Sequence, residues 1–343
     1  MKLVYVGLVF PHHKGTHAGY NHIKDFLPYD YDVDCQMLYS KFACSKSFFG
    51  NLMRRIGYKF FGYRIIPFFL LKVFFLSLTN KNLIFHVIYG EDILTKWFLA
   101  CTLKHKVVCT LHQPFAWSEN NPSFRECVKR TDKVILMASN ELEKFKCLKC
   151  DDNVTYIPHG ICSDFYHLPS DKKEEKNGSV LMVGDWLRDF DIANKVFIRL
   201  LQNNPDQIIN VVCSKENRKY FTDSRINCFT GITDEELRTL YWKSAFLFLP
   251  VKRFTANNAL LESSACGCNI MIASEQIENS YIPDQYIKMM PLDFNVCCQN
   301  LSEFLNEKKP SDFSFFDTIS EYVISNYSWR KISEKTISYL RQK

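Results

Sequence analysis

Phe246-Leu-Phe-Leu-Pro250, then Thr255-Ala-Asn-Asn-Ala-Leu-Leu-Glu-Ser-Ser-Ala-Cys-Gly-Cys268, then Asn269-Ile-Met-Ile-Ala273 form one continuous reading near the middle of the second half of the chain. The first and last runs are short and almost wholly apolar, as expected of parallel strands covered on both faces. Between them, Asn257 or Asn258 is placed to cap a helix and Gly267 to end it. Strand, helix and strand in close succession form a right-handed parallel crossover, the building unit of an α/β sheet.

The same alternation extends outward in both directions. Further strand candidates are Leu3–Phe10, Leu83–Tyr89, Val107–Leu111, Lys133–Ala138, Val154–Ile157, Val180–Val183 and Ile208–Val212, with helical windows at Asp191–Gln202, Asp234–Lys243 and Ala259–Cys266. The pattern predicts doubly wound, Rossmann-like α/β layers. A chain of 343 residues is long for one such layer and comfortable for two. Pro169-Ser-Asp-Lys-Lys-Glu-Glu-Lys-Asn-Gly178 has no apolar residue and reads as a linker. We therefore expect a first domain over 1–168, a linker over 169–178 and a second domain over 179–316. A helical segment over 317–343 should pack back on the first domain.

Apolar content of 47% and charged content of 23% place the chain among ordinary globular proteins. The net charge of +6 says less than its distribution. Between Cys35 and Gly90 there is no acidic residue, while Lys41, Lys46, Arg54, Arg55, Lys59, Arg64, Lys72 and Lys81 fall there. Such a patch favours an anionic surface. Ile65–Leu78 is too short to span a bilayer, which takes ~20 residues, and Pro67 and Lys72 interrupt it. Two readings of the aromatics in this region stand side by side: Phe60, Phe61 and Phe68–Leu78 lie on a membrane interface, or they fill the first domain's core beneath solvated cations. The opening Met1-Lys-Leu-Val-Tyr-Val-Gly7 reads directly as a strand, so a cytoplasmic protein is expected, with peripheral attachment to the inner face of the cell membrane on the first of those readings. In that compartment the fourteen cysteines are reduced thiols, the pair Cys147 and Cys150 has no second pair to complete a zinc site, and the sequons at Asn153, Asn177 and Asn326 are incidental.

Ligands of open α/β sheets bind beyond the carboxyl ends of the strands, so residues that follow strands are the site candidates. After the first strand, Gly15, Ala18 and Gly19 let a ligand approach the backbone, or make a purely structural turn. His112 and His159 each end a strand in the first half; His112 could contact a sugar or handle a proton, or be structural. In the second half Gly184 permits close approach and Arg188 offers a fork of donors suited to a diphosphate, with a surface salt bridge to Asp189 or Asp191 as the competing reading. Asn257 and Asn258 head a helix whose amides can hold phosphate, and Glu262, one turn further in, can accept the hydroxyls of a ribose. Neither half carries G-x-G-x-x-G, so a nicotinamide cofactor gains no support.

Together these pieces resemble glycosyltransferase family 4, the retaining enzymes with two Rossmann-like domains facing a central cleft, the GT-B fold. The likeness lies in Gly231-Ile-Thr-Asp-Glu-Glu-Leu-Arg-Thr-Leu-Tyr241, in Phe246–Pro250, in Asn257–Cys268 and, at the end of the first half, in Val154–Gly160. It covers most of the second domain and scattered points of the first. The resemblance implies a nucleoside-diphosphate sugar as donor, no divalent metal and no further cofactor. It also implies Glu262 on the nucleotide ribose, Arg188 on the diphosphate leaving group and His112 on the transferred sugar. The Gly15–Gly19 loop would bring acceptor and diphosphate together, and His159, Gly184, Asn257 and Asn258 would complete the binding set. Two positions depart from the family pattern. Asp185 stands where an Arg usually follows the glycine, and Phe254 stands where the first Glu of E-x7-E would contact the donor sugar.

The expected function is transfer of a hexose or related sugar to a glycan or lipid-linked acceptor in surface polysaccharide synthesis, with no nucleic-acid partner. A catalytically silent nucleotide-sugar-binding partner of an active transferase, or a nucleotide-sugar epimerase on the same fold, are the alternatives.

Overall fold

The computed structural model describes residues 1–149, 151–169, 171, 176–253, 257–275, 281–307 and 313–342. Cys150 of the Cys147/Cys150 pair, Phe254, Thr255 and Ala256, and much of the expected linker lie outside the described residues. The chain forms two compact units, residues Met1–Gly160 with Trp329–Lys343, and Ile161–Ser328.

The first unit is built on a six-stranded sheet in the order β2-β1-β3-β4-β5-β6, every pair parallel. Its strands are β1 (Lys2–Gly7), β2 (Tyr31–Asp34), β3 (Leu83–Val87), β4 (Lys106–Leu111), β5 (Lys133–Leu136) and β6 (Val154–Tyr156). β1 and β3 are shorter than their apolar runs. Pairing stops at Gly7 and Val87, and the buried residues Leu8, Ile88 and Tyr89 continue into loops instead. The helix Trp329–Arg341 completes this unit: Trp329 is 1% exposed, its ring 5.3 Å from that of Tyr20 and 5.1 Å from that of His159. A Cβ at Gly160 would lie 2.3 Å from the Trp329 ring, so the backbone can pass there only as glycine.

The second unit carries another parallel six-stranded sheet, β12-β11-β10-β7-β8-β9. The strands are β7 (Asn177–Val183), β8 (Ile209–Val212), β9 (Ile226–Phe229), β10 (Ser244–Val251), β11 (Asn269–Ser274) and β12 (Ile287–Pro291). Alternate residues of one strand feed two cores. Leu181, Leu247, Leu249 and Ile270 pack in one, while Val180, Met182, Phe246, Phe248 and Met271 pack in the other. This is why the central strands read as unbroken apolar runs.

Both sheets are thus doubly wound α/β layers. The strand order of the second unit reverses between β7 and β10, and that of the first between β1 and β3. Those are the topological switch points, where strand-end loops diverge and leave a crevice.

The chain passes into the second unit at Ile161, ahead of the expected boundary at 168. Ile161 and Tyr166 are buried in the second unit's core, and the Ile161 amide donates to the Tyr327 carbonyl at 2.8 Å. Of the expected terminal segment, Ile319, Val323 and Tyr327 stay in that same core, and the return to the first unit begins at Trp329. No disulfide joins the described cysteines. Among the described residues no helix is long and apolar enough to cross a membrane.

Candidate functional site

In the second unit, β7 ends at Val183 and the chain turns through Gly184 at φ 95°, a conformation that favours glycine. The loop then pairs with the end of β10. The Asp189 amide donates to the Pro250 carbonyl at 3.0 Å and the Lys252 amide to the Leu187 carbonyl at 2.8 Å. This double tie fixes Arg188 at the switch point. Its Nε donates to the Val183 carbonyl (3.0 Å), its Nη1 to the Trp186 carbonyl (3.2 Å) and its Nη2 to Asn257 Oδ1 (3.3 Å).

All three acceptors are neutral. Asp189 is engaged in capping the Phe190–Asn203 helix through the Ile192 amide, and Arg188 forms no ion pair with an acidic residue among the described residues. The guanidinium is half-buried, and burial pulls its pKa down to about 10, which leaves it cationic at neutral pH. Asp185, at the position where the family resemblance would place an Arg, accepts from the Ser214 amide and from Asn217 Nδ2, and so holds the loop after β8.

Asn257 is the N-cap of the helix Asn258–Ala265, its Oδ1 accepting from the Leu260 amide at 3.3 Å as well as from Arg188. One side-chain oxygen therefore joins the helix head to the guanidinium, and Asn258, half-buried, opens the helix. Gly184 belongs to the same cluster, since a Cβ there would lie 3.3 Å from Arg188 Nη2. Glu262 lies one turn into the helix and is 5% exposed. The Tyr241 hydroxyl donates to its Oε2 at 3.0 Å. Burial raises the Glu262 carboxyl to about 8, partly offset by that bond. The carboxyl is therefore largely protonated at neutral pH.

In the first unit, the loop after β1 carries Gly15 at φ 78° with open space about it. Gly19 at φ 105° is crowded by Asn21 and His13. His112 follows β4. Its ring lies 4.5 Å from that of Tyr89 and 5.2 Å from that of Tyr20, with both ring nitrogens buried and without a hydrogen bond among the described residues. Glu91 governs this loop: Oε1 accepts from the His112 and Gln113 amides, and Oε2 lies 3.9 Å from His112 Nδ1. A second carboxylate, Glu141, accepts from the Phe115 amide at 2.7 Å. His159 is 5% exposed between the rings of Tyr20 and Trp329, and its Nδ1 is 2.6 Å from the Gly160 carbonyl. Burial drives its pKa down to about 3, which makes it a neutral, packed histidine.

The predicted residues thus fall into two groups. Gly184, Arg188, Asn257 and Asn258 meet at the β7/β10 switch point, with Glu262 one turn below. Gly19, His112 and His159 gather around Tyr20 in the first unit, while Gly15 sits further out in the same loop. Glu91 is an addition that the motifs did not yield, and so is the bond from Tyr241, the last residue of the Gly231–Tyr241 motif, to Glu262. Glu91 left one trace, as the first acidic residue after the acid-free stretch, immediately beyond a strand and Gly90.

A pair of doubly wound parallel sheets, each with polar groups gathered at strand ends, defines the two-Rossmann-domain class, and the fold is that of the GT-B glycosyltransferases. Three solved structures illustrate the likeness. Sucrose-phosphate synthase from Thermosynechococcus elongatus superposes with a TM-score of 0.68 at 13% identity, over 100% of this chain and 99% of that one. Anabaena HepE in complex with UDP gives 0.70 at 11% identity, over 99% of each chain. A glycosyltransferase from Rickettsia africae gives 0.64 at 12%, over 99% of this chain and 98% of that one. At such identities the likeness is one of fold. No protein-family model matches the chain, and no curated protein sequence matches it.

Proposed function

We propose that this chain is a glycosyltransferase of the retaining kind, taking its sugar from a nucleoside-diphosphate donor and delivering it to a glycan or lipid-linked acceptor in surface polysaccharide synthesis. The observation that carries the reading is Arg188, a half-buried cation whose partners among the described residues are all neutral, joined through Asn257 to the head of a helix at a topological switch point. A helix N-terminus and a fixed guanidinium together suit a diphosphate. Anabaena HepE, which shares the fold, has been crystallised with UDP and with UDP-glucose, which makes uridine donors the first to test.

In the proposed reaction the bond from the anomeric carbon to the diphosphate oxygen breaks and the acceptor oxygen bonds to that carbon. The acceptor's proton passes to the departing phosphate. Negative charge grows on the leaving diphosphate, and Arg188 with the helix amides stabilises it more in the transition state than in the ground state. Glu262 would take the ribose hydroxyls, Tyr241 holding the carboxyl in place. His112, held by Glu91 through its backbone, would contact the sugar. The Gly15–Gly19 loop would lie against the acceptor and diphosphate, and His159 would brace Tyr20 behind it.

Thermal-shift titration with UDP-, GDP-, ADP- and CMP-sugars tests donor binding. The expected result is stabilisation by one base class, abolished in Glu262→Ala; no stabilisation by any of them would overturn the reading. A second reading, silent nucleotide-sugar binding, is kept because the sequence has Phe254 in place of a donor-contacting Glu. Hydrolysis or transfer of the sugar by purified protein separates the two.

A further inference from the structure

The helix Phe48–Ile56 and the turn Gly57–Phe61 that extends it lie on the outside of the first unit with their apolar side chains uncovered. Phe48 is 84% exposed, and Phe49, Tyr58 and Phe60 are each 56% exposed. The helix Phe69–Thr79 repeats the pattern. It buries only Leu70, Val73 and Ser77, at i, i+3 and i+7, and leaves Phe68, Leu71, Phe75 and Leu78 more than half exposed. The two segments are joined through packed side chains. The Phe61 ring lies 5.8 Å from Trp97 of the helix Lys96–Cys101, on which Phe69–Thr79 packs, and Tyr63 is 5.5 Å from Phe69. Aromatics in such number, left out of a core that is otherwise closed, mark an interaction surface.

The charge beside them says what covers it. Along the helix and its extension runs a groove whose lining includes the apolar side chains of Phe48, Leu52 and Tyr58 and the basic ones of Arg54, Arg55 and Lys59. None of the eight cations between Cys35 and Gly90 has an ion-pair partner among the described residues, and no acidic residue occurs in that stretch to repel an anion. Arg54 is spent on the Ala43 and Ser45 carbonyls, which leaves Arg55 and Lys59 as the outward charges of the groove. Exposed Phe and Leu beside unpaired Arg and Lys, with no carboxylate between, match the headgroup layer of an anionic bilayer, phosphate outside and acyl chain beneath.

We infer that this face of the first unit, centred on Phe48–Phe61 and continued by Phe69–Thr79, seats the protein on anionic lipid membrane. The inference does not depend on the transferase reading, because its test reads vesicle binding alone.

The full chain is floated with vesicles of phosphatidylglycerol and phosphatidylcholine, and with phosphatidylcholine alone, at low and high salt. Expected is co-flotation with the anionic vesicles, weakened as salt shortens the screening length. Each basic residue near such a surface is worth roughly fivefold in partitioning, so Arg55→Glu with Lys59→Glu should lose at least about tenfold. Phe48→Ser with Phe60→Ser should lose about as much through the apolar contact. Both pairs are surface changes, and a melting curve checks that each variant folds. Absence of flotation with anionic vesicles overturns the inference, and that result needs no variant. So does unaltered flotation of a folded charge-reversed protein. So, too, does a dimer that Phe48→Ser dissolves in a chain that ignores vesicles, since the face would then belong to a second copy.

Discussion

Among the described residues Arg188 makes three hydrogen bonds and no ion pair, and that combination separates binding from chemistry. Neutral acceptors orient a guanidinium and leave its charge uncancelled, so the free energy spent on burying it is recovered when an anion arrives. Arg188→Ala should therefore lower turnover by about 10²- to 10³-fold while nucleotide affinity changes far less, and Arg188→Lys should restore part of the rate; steady-state kinetics with a calorimetric binding constant decides. Glu262 makes a different demand. Its carboxyl is raised to about 8 by burial, so the folded chain holds a proton that the unfolded chain releases in the ordinary carboxyl range. The stability this contributes is full at acidic pH and is lost as pH rises towards and through about 8. Glu262→Gln should flatten that decline in a series of melting curves, and Glu262→Ala, which removes the acceptor, should weaken nucleotide binding at least about tenfold. The sequence showed that these residues follow strands and head a helix. It did not show their partners, because Glu262 meets Tyr241 and His112 meets Glu91 across 21 residues, where only the folded packing brings them together.

At the level of elements, the loop after β4 is a backbone held from outside by carboxylates. Glu91 takes two successive amides and Glu141 a third. A strand-end loop fixed in this way holds His112 without a hydrogen bond to the imidazole itself among the described residues, the ring lying between those of Tyr89 and Tyr20. Glu91→Ala should cost roughly 1–3 kcal/mol, the usual penalty for stranding buried amides, and should slow sugar transfer while leaving nucleotide affinity unchanged. Glu91→Gln, which keeps a carbonyl acceptor, should recover most of both; equal losses in nucleotide binding would contradict the placement. The strands that escaped the sequence reading have a common cause. β2, β9 and β12 are all edge strands, and their runs Tyr-Asp-Val-Asp, Ile-Asn-Cys-Phe and Ile-Lys-Met-Met-Pro mix polar with apolar residues. A strand with one neighbour is covered less completely, so selection for an unbroken apolar run is relaxed and the periodicity that reveals a central strand fades.

For the whole molecule, two layers were legible because two sets of strand–helix alternations flank the polar stretch Pro169–Gly178, although its end is no linker: Lys176 is buried, its Nζ donating to the Tyr241 and Ser244 carbonyls, and Asn177 and Gly178 already belong to β7. The boundaries of the layers were not, because each is set by a distant partner: Ile161 bonds to Tyr327, and Trp329 fills the space that Gly160 leaves. The first unit is therefore closed by the last helix of the chain. Besides Trp329, that helix offers its final carbonyls to Lys133, whose buried Nζ donates to Tyr339 at 2.9 Å and to Gln342 at 3.0 Å. A cation at a helix C-terminus satisfies both the dipole and the orphan carbonyls. Ending the chain after Ser328 would remove a fully buried Trp, by itself a loss of roughly 3–5 kcal/mol and a large part of what a domain possesses, and would uncover the core residues beneath the helix. Calorimetry should then show the first unit's transition lost or greatly lowered, with that of residues Ile161–Ser328 kept. Gly160→Ala, which only crowds the Trp329 ring, should lower the same transition by about 1–3 kcal/mol. If the shortened chain melted like the intact one, closure by the terminal helix would be wrong, and the first unit would have to be stable on residues Met1–Gly160 alone.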